Sequence, residues 1–243
     1  MPDSVSTVTP FAACAVGDEA FAEAYEALGA ARRARLKRCI AVLYESFGEW
    51  PMHQTSRRVF RQGFVLEDED AGPSPAVVIV CDATYPFAGG LLAALMPALA
   101  AGARPFVLFR NTGGGIARPL LAALELAGVE DAWLLDEARL ADFFRTVTEP
   151  GASLGDCADG PARLVLLGGT LFGDELVLEA HRRGVPCRSL FGLPGGAGKA
   201  SAGFDAPGGQ DVLDGADASG AVLFWPHLEP GWFRQCSRRA VNP

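Results

Sequence analysis

The sequence predicts an α/β fold in which an open, mostly parallel sheet carries helices on both faces, preceded by an N-terminal helical segment. Three observations predict it. From Pro75 onward, short and continuously apolar runs alternate with helical stretches. Strands buried on both faces read that way, and the helices supply the crossovers that parallel neighbours need. Glycine-rich turns follow several of the runs, as strand-to-helix connections require. Finally, 243 residues with 49% hydrophobic and 21% charged content are enough to bury a full core.

The elements follow in order. Residues Asp18 to Phe47 have apolar residues at helical spacing (Phe21, Tyr25, Leu28, then Leu36, Ile40, Leu43, Tyr44), with a break near Gly29. Arg32, Arg33, Arg35, Lys37 and Arg38 form a basic cluster there, read first as a solvated helix face. Arg58 to Leu66 reads as a strand, Glu67–Asp70 as an acidic loop, and Gly72-Pro73 as a turn. Strands then fall at Ala76–Cys81, Pro105–Phe109, Ala132–Leu135, Leu164–Leu167 and Pro186–Leu190. Helices fall at Gly89–Ala101, Ala117–Ala127, Glu137–Phe144 and Asp174–Arg183. Gly192–Gly220 has no period and reads as a long loop, Ala221–Trp225 as a last strand, and Leu228–Cys236 as an aromatic tail that docks back. The expected division is a helical segment over 1–57 and a Rossmann-like α/β domain over 58–243.

Composition excludes several classes. A formal charge of −8 argues against a nucleic-acid surface, which needs clustered Lys and Arg. Six scattered cysteines without a C-x-x-C pair predict reduced thiols and a cytoplasmic protein rather than a disulfide framework or a zinc site. The N-terminus lacks the pattern of a signal peptide. Ala83 to Ala103 is uncharged, but Pro86, Gly89, Gly90 and Pro97 interrupt it, so a buried loop and helix is expected instead of a membrane span. The histidines, His53, His181 and His227, stand far apart, and no spacing suggests a metal site.

Open α/β sheets bind ligands beyond the carboxyl ends of their strands. Four turns are expected there: Asp82-Ala83-Thr84-Tyr85-Pro86, Arg110 to Gly115, Gly168 to Gly173, and Gly192 to Gly198. In Gly168-Gly169-Thr170-Leu171-Phe172-Gly173 an apolar run passes through glycines into a helix, where backbone N–H groups favour a phosphate or other anion. Gly168, Gly169, Thr170 and Gly173 are therefore candidate binding residues, with Arg110 offering charge and Asp82, Thr84 and Tyr85 polar contacts. Gly195-Gly196-Ala197-Gly198-Lys199-Ala200 is no P-loop, because Leu193 replaces the first glycine and Ala200 the hydroxyl residue that magnesium needs. No G-x-G-x-x-G follows the first strand. Cys81 and Cys187 fall in strands as small hydrophobes, whereas Cys236 lies among Arg234, Arg238 and Arg239, where cations favour a thiolate.

Residues 18–240 together resemble the cofactor-binding half of the aldehyde dehydrogenase-like superfamily, which includes histidinol dehydrogenase. Tyr85-Pro86 and Pro97-Ala98-Leu99-Ala100-Ala101-Gly102 are similar to its asparagine-aromatic-proline turn and A-L-A-A-G helix end. Ile116 to Val129 is similar to the helix that follows, Gly168 to Gly173 to the G-S-T-x-x-G turn beside the dinucleotide, and Gln235-Cys236 to the segment holding the nucleophilic cysteine. The resemblance implies NAD or NADP as cofactor and Cys236 as the catalytic residue.

The chain also departs from that pattern. The oxyanion asparagine matches Thr84, and the ribose-contacting lysine falls at Phe109 or Arg110. Aligning the base motif on Gly198-Lys199 puts Gly195 at its glutamate, and no glutamate occurs between Glu179 and Glu229. The sequence stops shortly after Cys236, so the family's separate catalytic domain is expected to be absent. Nothing matches the zinc ligands or Glu-His pair of histidinol dehydrogenase. A thiohemiacetal mechanism would thus keep a nucleophile without its base or side-chain oxyanion donor. The leading expectation is a catalytically incomplete domain that binds a nucleotide or other phosphate-bearing small molecule. Two alternatives stay open: a small NAD(P)-dependent oxidoreductase using Cys236, as a homo-oligomer or with a partner subunit, and a non-enzymatic interaction protein using the aromatic tail.

Overall fold

The computed structural model describes residues 9–48, 55–60, 65–111, 113–149, 162–168, 174–190, 225 and 228–241. After a 3-10 turn at Thr9–Cys14 come α1 (Asp18–Ala27), α2 (Ala30–Phe47), β1 (Thr55–Val59), β2 (Val65–Pro73), β3 (Val77–Asp82), α3 (Ala88–Ala100) and β4 (Pro105–Arg110). They are followed by α4 (Arg118–Ala127), β5 (Ala132–Leu135), α5 (Glu137–Val147), β6 (Arg163–Leu167), α6 (Asp174–Arg182), β7 (Cys187–Leu190), a second 3-10 turn at Pro230–Phe233 and β8 (Arg234–Val241).

Five strands form one parallel sheet in the order β5-β4-β3-β6-β7. Side chains alternate across it even though the central strands are apolar throughout. Val77, Ile79 and Cys81 of β3, Val107 and Phe109 of β4, and Val165 and Leu167 of β6 pack toward α3 and α4. Val78, Val80, Phe106, Leu108, Leu164 and Leu166 pack toward α5, α6 and Phe11. The open mostly parallel sheet expected from the sequence is present, with helices on both faces.

The N-terminal helices add a further layer. Phe21 and Ala24 of α1, Leu28 just after it, and Leu36, Cys39 and Leu43 of α2 join the same core as α3 and α4. Helix α3 therefore lies between the sheet and α2, and every residue from Ala88 to Ala98 is buried. A helix apolar on all sides must be enclosed somewhere, and here protein encloses it. None of the described helices is long and apolar enough to cross a membrane. Local signals set the helix ends: Asp136 accepts the Arg139 amide at the start of α5 (2.9 Å), and Gly128 ends α4 in the left-handed region at φ 69°.

Beneath the amino edge of the parallel sheet lies a second, antiparallel one in the order β1-β2-β8. Here the structure corrects the sequence reading. The expected strand over Arg58–Leu66 is two strands, and the expected acidic loop Glu67–Asp70 belongs to β2. Its register sets Glu67 opposite Arg57 of β1 and Arg239 of β8, and Asp68 opposite Arg238. The aromatic tail does dock: Leu228 and Phe233 are buried, and the Trp225 indole donates to the Gly90 carbonyl at 2.9 Å. From Arg234, however, the expected tail is strand β8, which runs on to Val241.

Two buried arginines join the sheets. Arg163, at the start of β6, donates to the carbonyls of Trp232 (2.8 Å) and Arg234 (3.0 Å). Arg234 donates to the carbonyl of Ala101 at 3.0 Å, and the Ser74 amide donates to Phe233 at 2.8 Å. Burial pulls the Arg163 guanidinium below its ordinary value, yet those carbonyls accept from two of its three nitrogens. The predicted loop over 192–220 and strand over 221–225 lie outside the described residues, apart from Trp225.

Candidate functional site

The strand order fixes where a ligand would go. Strands β3, β4 and β5 run to one side and β6 and β7 to the other, so the chain reverses direction between β3 and β6. Crossovers leave opposite faces of the sheet at such a point and open a crevice beyond the strands' carboxyl ends. The described residues there are Asp82 to Tyr85 at the end of β3, Arg110, Asn111 and Gly113 to Gly115 at the end of β4, and Gly168 after β6.

Asp82 and Arg110 occupy paired register positions and form an ion pair, Nε to Oδ1 2.7 Å, with both side chains mostly buried. The Arg110 charge is thus already countered, which alters its expected role as a free cation for phosphate. Thr84 is exposed, and its methyl group lies 4.0 Å from where a Cβ on Gly114 would stand. The Ala117 amide donates to the Ala83 carbonyl at 2.8 Å, so the turns after β3 and β4 are locked together.

Gly168 has φ 86°, a conformation strained for residues with a side chain, and turns the chain sharply out of β6. Its amide donates to the Leu190 carbonyl of β7 at 3.0 Å. The expectation that Gly168 offers an amide to an anion is therefore corrected: that donor completes the sheet, and the residue contributes its backbone geometry. Gly169, Thr170 and Gly173 lie outside the described residues.

Tyr85 forms the floor between β3 and β6. Its ring is 6% exposed, lies 3.6 Å from the position a Cβ on Gly168 would take, and meets Phe87 edge-on at 5.4 Å between centroids. Its hydroxyl is buried and has no hydrogen-bond partner among the described residues. Burial, and secondarily Cys81, push the phenol well above its ordinary value, so it remains a neutral donor and acceptor. Burial and the Asp82 charge likewise push the Cys81 thiol up, which makes it an inert core residue. The orphan hydroxyl has no sequence signature, because burial of Tyr85 depends on β6 arriving beside β3.

Cys236 is placed elsewhere. It lies in β8 opposite Asp70, on the antiparallel sheet hung from the amino edge. The length of β3, six residues or about 20 Å at roughly 3.3 Å per residue, separates that edge from Tyr85 and Gly168. The structure therefore does not bring Cys236 to the switch-point crevice. His181 is an exposed residue of α6, and no group of three metal-ligating side chains occurs among the described residues.

No family model matches the sequence, and no curated protein matches it. Solved structures are similar to it. Histidinol dehydrogenase from Elizabethkingia anophelis has a TM-score of 0.52 and 13% identity, covering 74% of this chain and 40% of that one. Succinate-semialdehyde dehydrogenase from Burkholderia pseudomallei has a TM-score of 0.42 and 14% identity, covering 68% and 31%. An aldehyde dehydrogenase of Mycobacterium tuberculosis, complexed with NAD+, has a TM-score of 0.38 and 15% identity, covering 71% and 32%. The chain spans about 40% of the length of the histidinol dehydrogenase it resembles. At such identity the likeness is one of fold, and at that level the resemblance read from the sequence holds over 74% of the chain.

Proposed function

We propose that this chain binds a nucleotide, NAD(H) or NADP(H) before others, in the crevice between β3 and β6, and that it lacks the parent chemistry. The observation that carries the reading is the topological reversal between β3 and β6, with the left-handed Gly168 on one side and the orphan Tyr85 hydroxyl on the other. A buried hydroxyl without a partner is poised for a polar ligand atom, since filling it removes a desolvation penalty. The paired Asp82 and Arg110 would meet sugar hydroxyls with little net charge.

Two features support catalytic incompleteness. No glutamate stands where the base is needed, and Cys236 lies toward the opposite edge of the sheet from the crevice. Calorimetric titration of the pure chain with NAD(H), NADP(H) and CoA tests the reading. Saturable heat with a dinucleotide is expected, with no turnover of aldehydes by wild type or by Cys236→Ala. Absence of both heat and thermal shift with every nucleotide would overturn it. Cysteine-dependent turnover would instead establish the oxidoreductase alternative.

A further inference from the structure

We infer that the layer formed by α1 and α2 is a docking surface for a second copy of this chain, related by a two-fold axis that runs between the two helices. Inward, α1 packs on α4 and α2 on α3, so both helices cover the same face of the parallel sheet. Outward, they carry opposite charge. Asp18, Glu19, Glu23 and Glu26 of α1 are exposed, and the three glutamates follow one line at helical spacing. The exposed line of α2 runs from Ala34 through Lys37 and Arg38 to Ala41, with Val42 and Tyr44 on its flanks.

This division of charge selects the occupant. A uniformly acidic partner would suit α2 and be repelled by α1, and a basic one the reverse. A second copy presents both signs. Half a turn about an axis between the helices lays α1 of each copy on α2 of the other, so every contact of acid with base occurs twice. An axis across the helices would set α1 against α1, and like charge disfavours it. Contacts within the chain are weak competitors: Glu26 stands 4.0 Å from Arg33, and Lys37 meets the Tyr25 hydroxyl at 3.4 Å. Between the charges the face is small or apolar. Ala34 and Ala41 permit close approach, while Tyr44 and Val42, 54% and 37% exposed, would leave water. Glu45 lies two turns beyond Arg38, about 10 Å along α2, clear of the basic turn.

The test is sedimentation of the full chain and of two charge-reversed variants, each checked for folding by circular dichroism. Wild type is expected to dimerise reversibly, at least tenfold more weakly in about 0.5 M salt than in about 0.05 M, because exposed charges are screened. That comparison needs no change to the protein. In one variant Glu19→Lys, Glu23→Lys and Glu26→Lys turn the outer face of α1 basic. In the other Lys37→Glu and Arg38→Glu turn that of α2 acidic. Each variant alone is expected to dimerise at least tenfold more weakly than wild type. An equal mixture of the two is expected to recover the dimer, since both contacts of the mixed pair again join opposite charges. A wild-type chain that stays monomeric at low salt would overturn the proposal and leave the two faces as solvated surface. A dimer indifferent to salt or to either reversal would overturn it too, as would variants that stay monomeric when mixed.

Discussion

Replacing Tyr85 with Phe is expected to stabilise the unliganded chain while weakening its hold on a nucleotide. The hydroxyl is enclosed, 6% of the residue being exposed, and nothing among the described residues accepts from it or donates to it. A buried polar group left unpaired costs about 1–3 kcal/mol, and Tyr85→Phe removes that group without removing the ring that packs on Gly168 and Phe87. For a chain of this size each kcal/mol moves Tm by about 2–4 °C, so a rise of roughly 2–12 °C is expected. Urea unfolding should show a higher midpoint at an unchanged m-value. In the same variant the dinucleotide should bind about 2- to 10-fold more weakly, the worth of one neutral hydrogen bond. Opposite signs in the two assays are the signature. A loss of 1 kcal/mol or more in the unliganded variant would refute the reasoning, since it would mean that the hydroxyl is already bonded in the folded chain.

Other consequences are as direct. Gly168→Ala should cost about 1–2 kcal/mol, the penalty for a side chain at φ 86°, and should lower nucleotide affinity more than Tyr85→Phe does; unchanged stability by urea titration would count against the left-handed turn. Arg163→Met should cost at least about 2 kcal/mol, because the carbonyls of Trp232 and Arg234 lose a charged donor, with a red shift of tryptophan emission as Trp232 loosens; wild-type stability would contradict the tie. Stability should also fall at alkaline pH. Cys81 and Tyr85 both hold their protons more tightly when folded, so their contribution is complete below their unfolded values, about 8.5 and 10, and declines as pH rises above each. Each adds a slope of up to about 1.4 kcal/mol per pH unit, and Cys81→Ala should reduce the part that begins near 8.5, to which the Cys187 thiol, also pushed up by burial, still contributes; an identical profile in that variant would contradict the burial of Cys81.

Most of the parallel sheet was legible because its signals are local. Four apolar runs from Ala76–Cys81 to Leu164–Leu167 each fill a core strand, and Gly29 marks the break between α1 and α2. What stayed hidden depends on partners distant in sequence. Four consecutive acidic residues look like a solvated loop until β8 brings Arg238 and Arg239 beside them from some 170 positions away. Likewise the strand from Arg234 to Val241 is not recognisable locally, because its pairing partner is β2. At the candidate site, the turns after β3 and β4 and the glycine that ends β6 were recognisable in the sequence. The pairing of Asp82 with Arg110 and the use of the Gly168 amide by Leu190 follow from strand register, which composition does not encode. Gln235-Cys236 misled for the same reason: a dipeptide cannot say which edge of the sheet it will reach.

The most direct measurement is a titration of the 15N-labelled chain with NADH, following backbone amides. The account predicts saturable shifts at Asp82 to Tyr85, Arg110, Gly168 and the residues over 169–173, with β8 around Cys236 unmoved. Shifts centred on β8, or no saturable shift after β3 and β6, would contradict it.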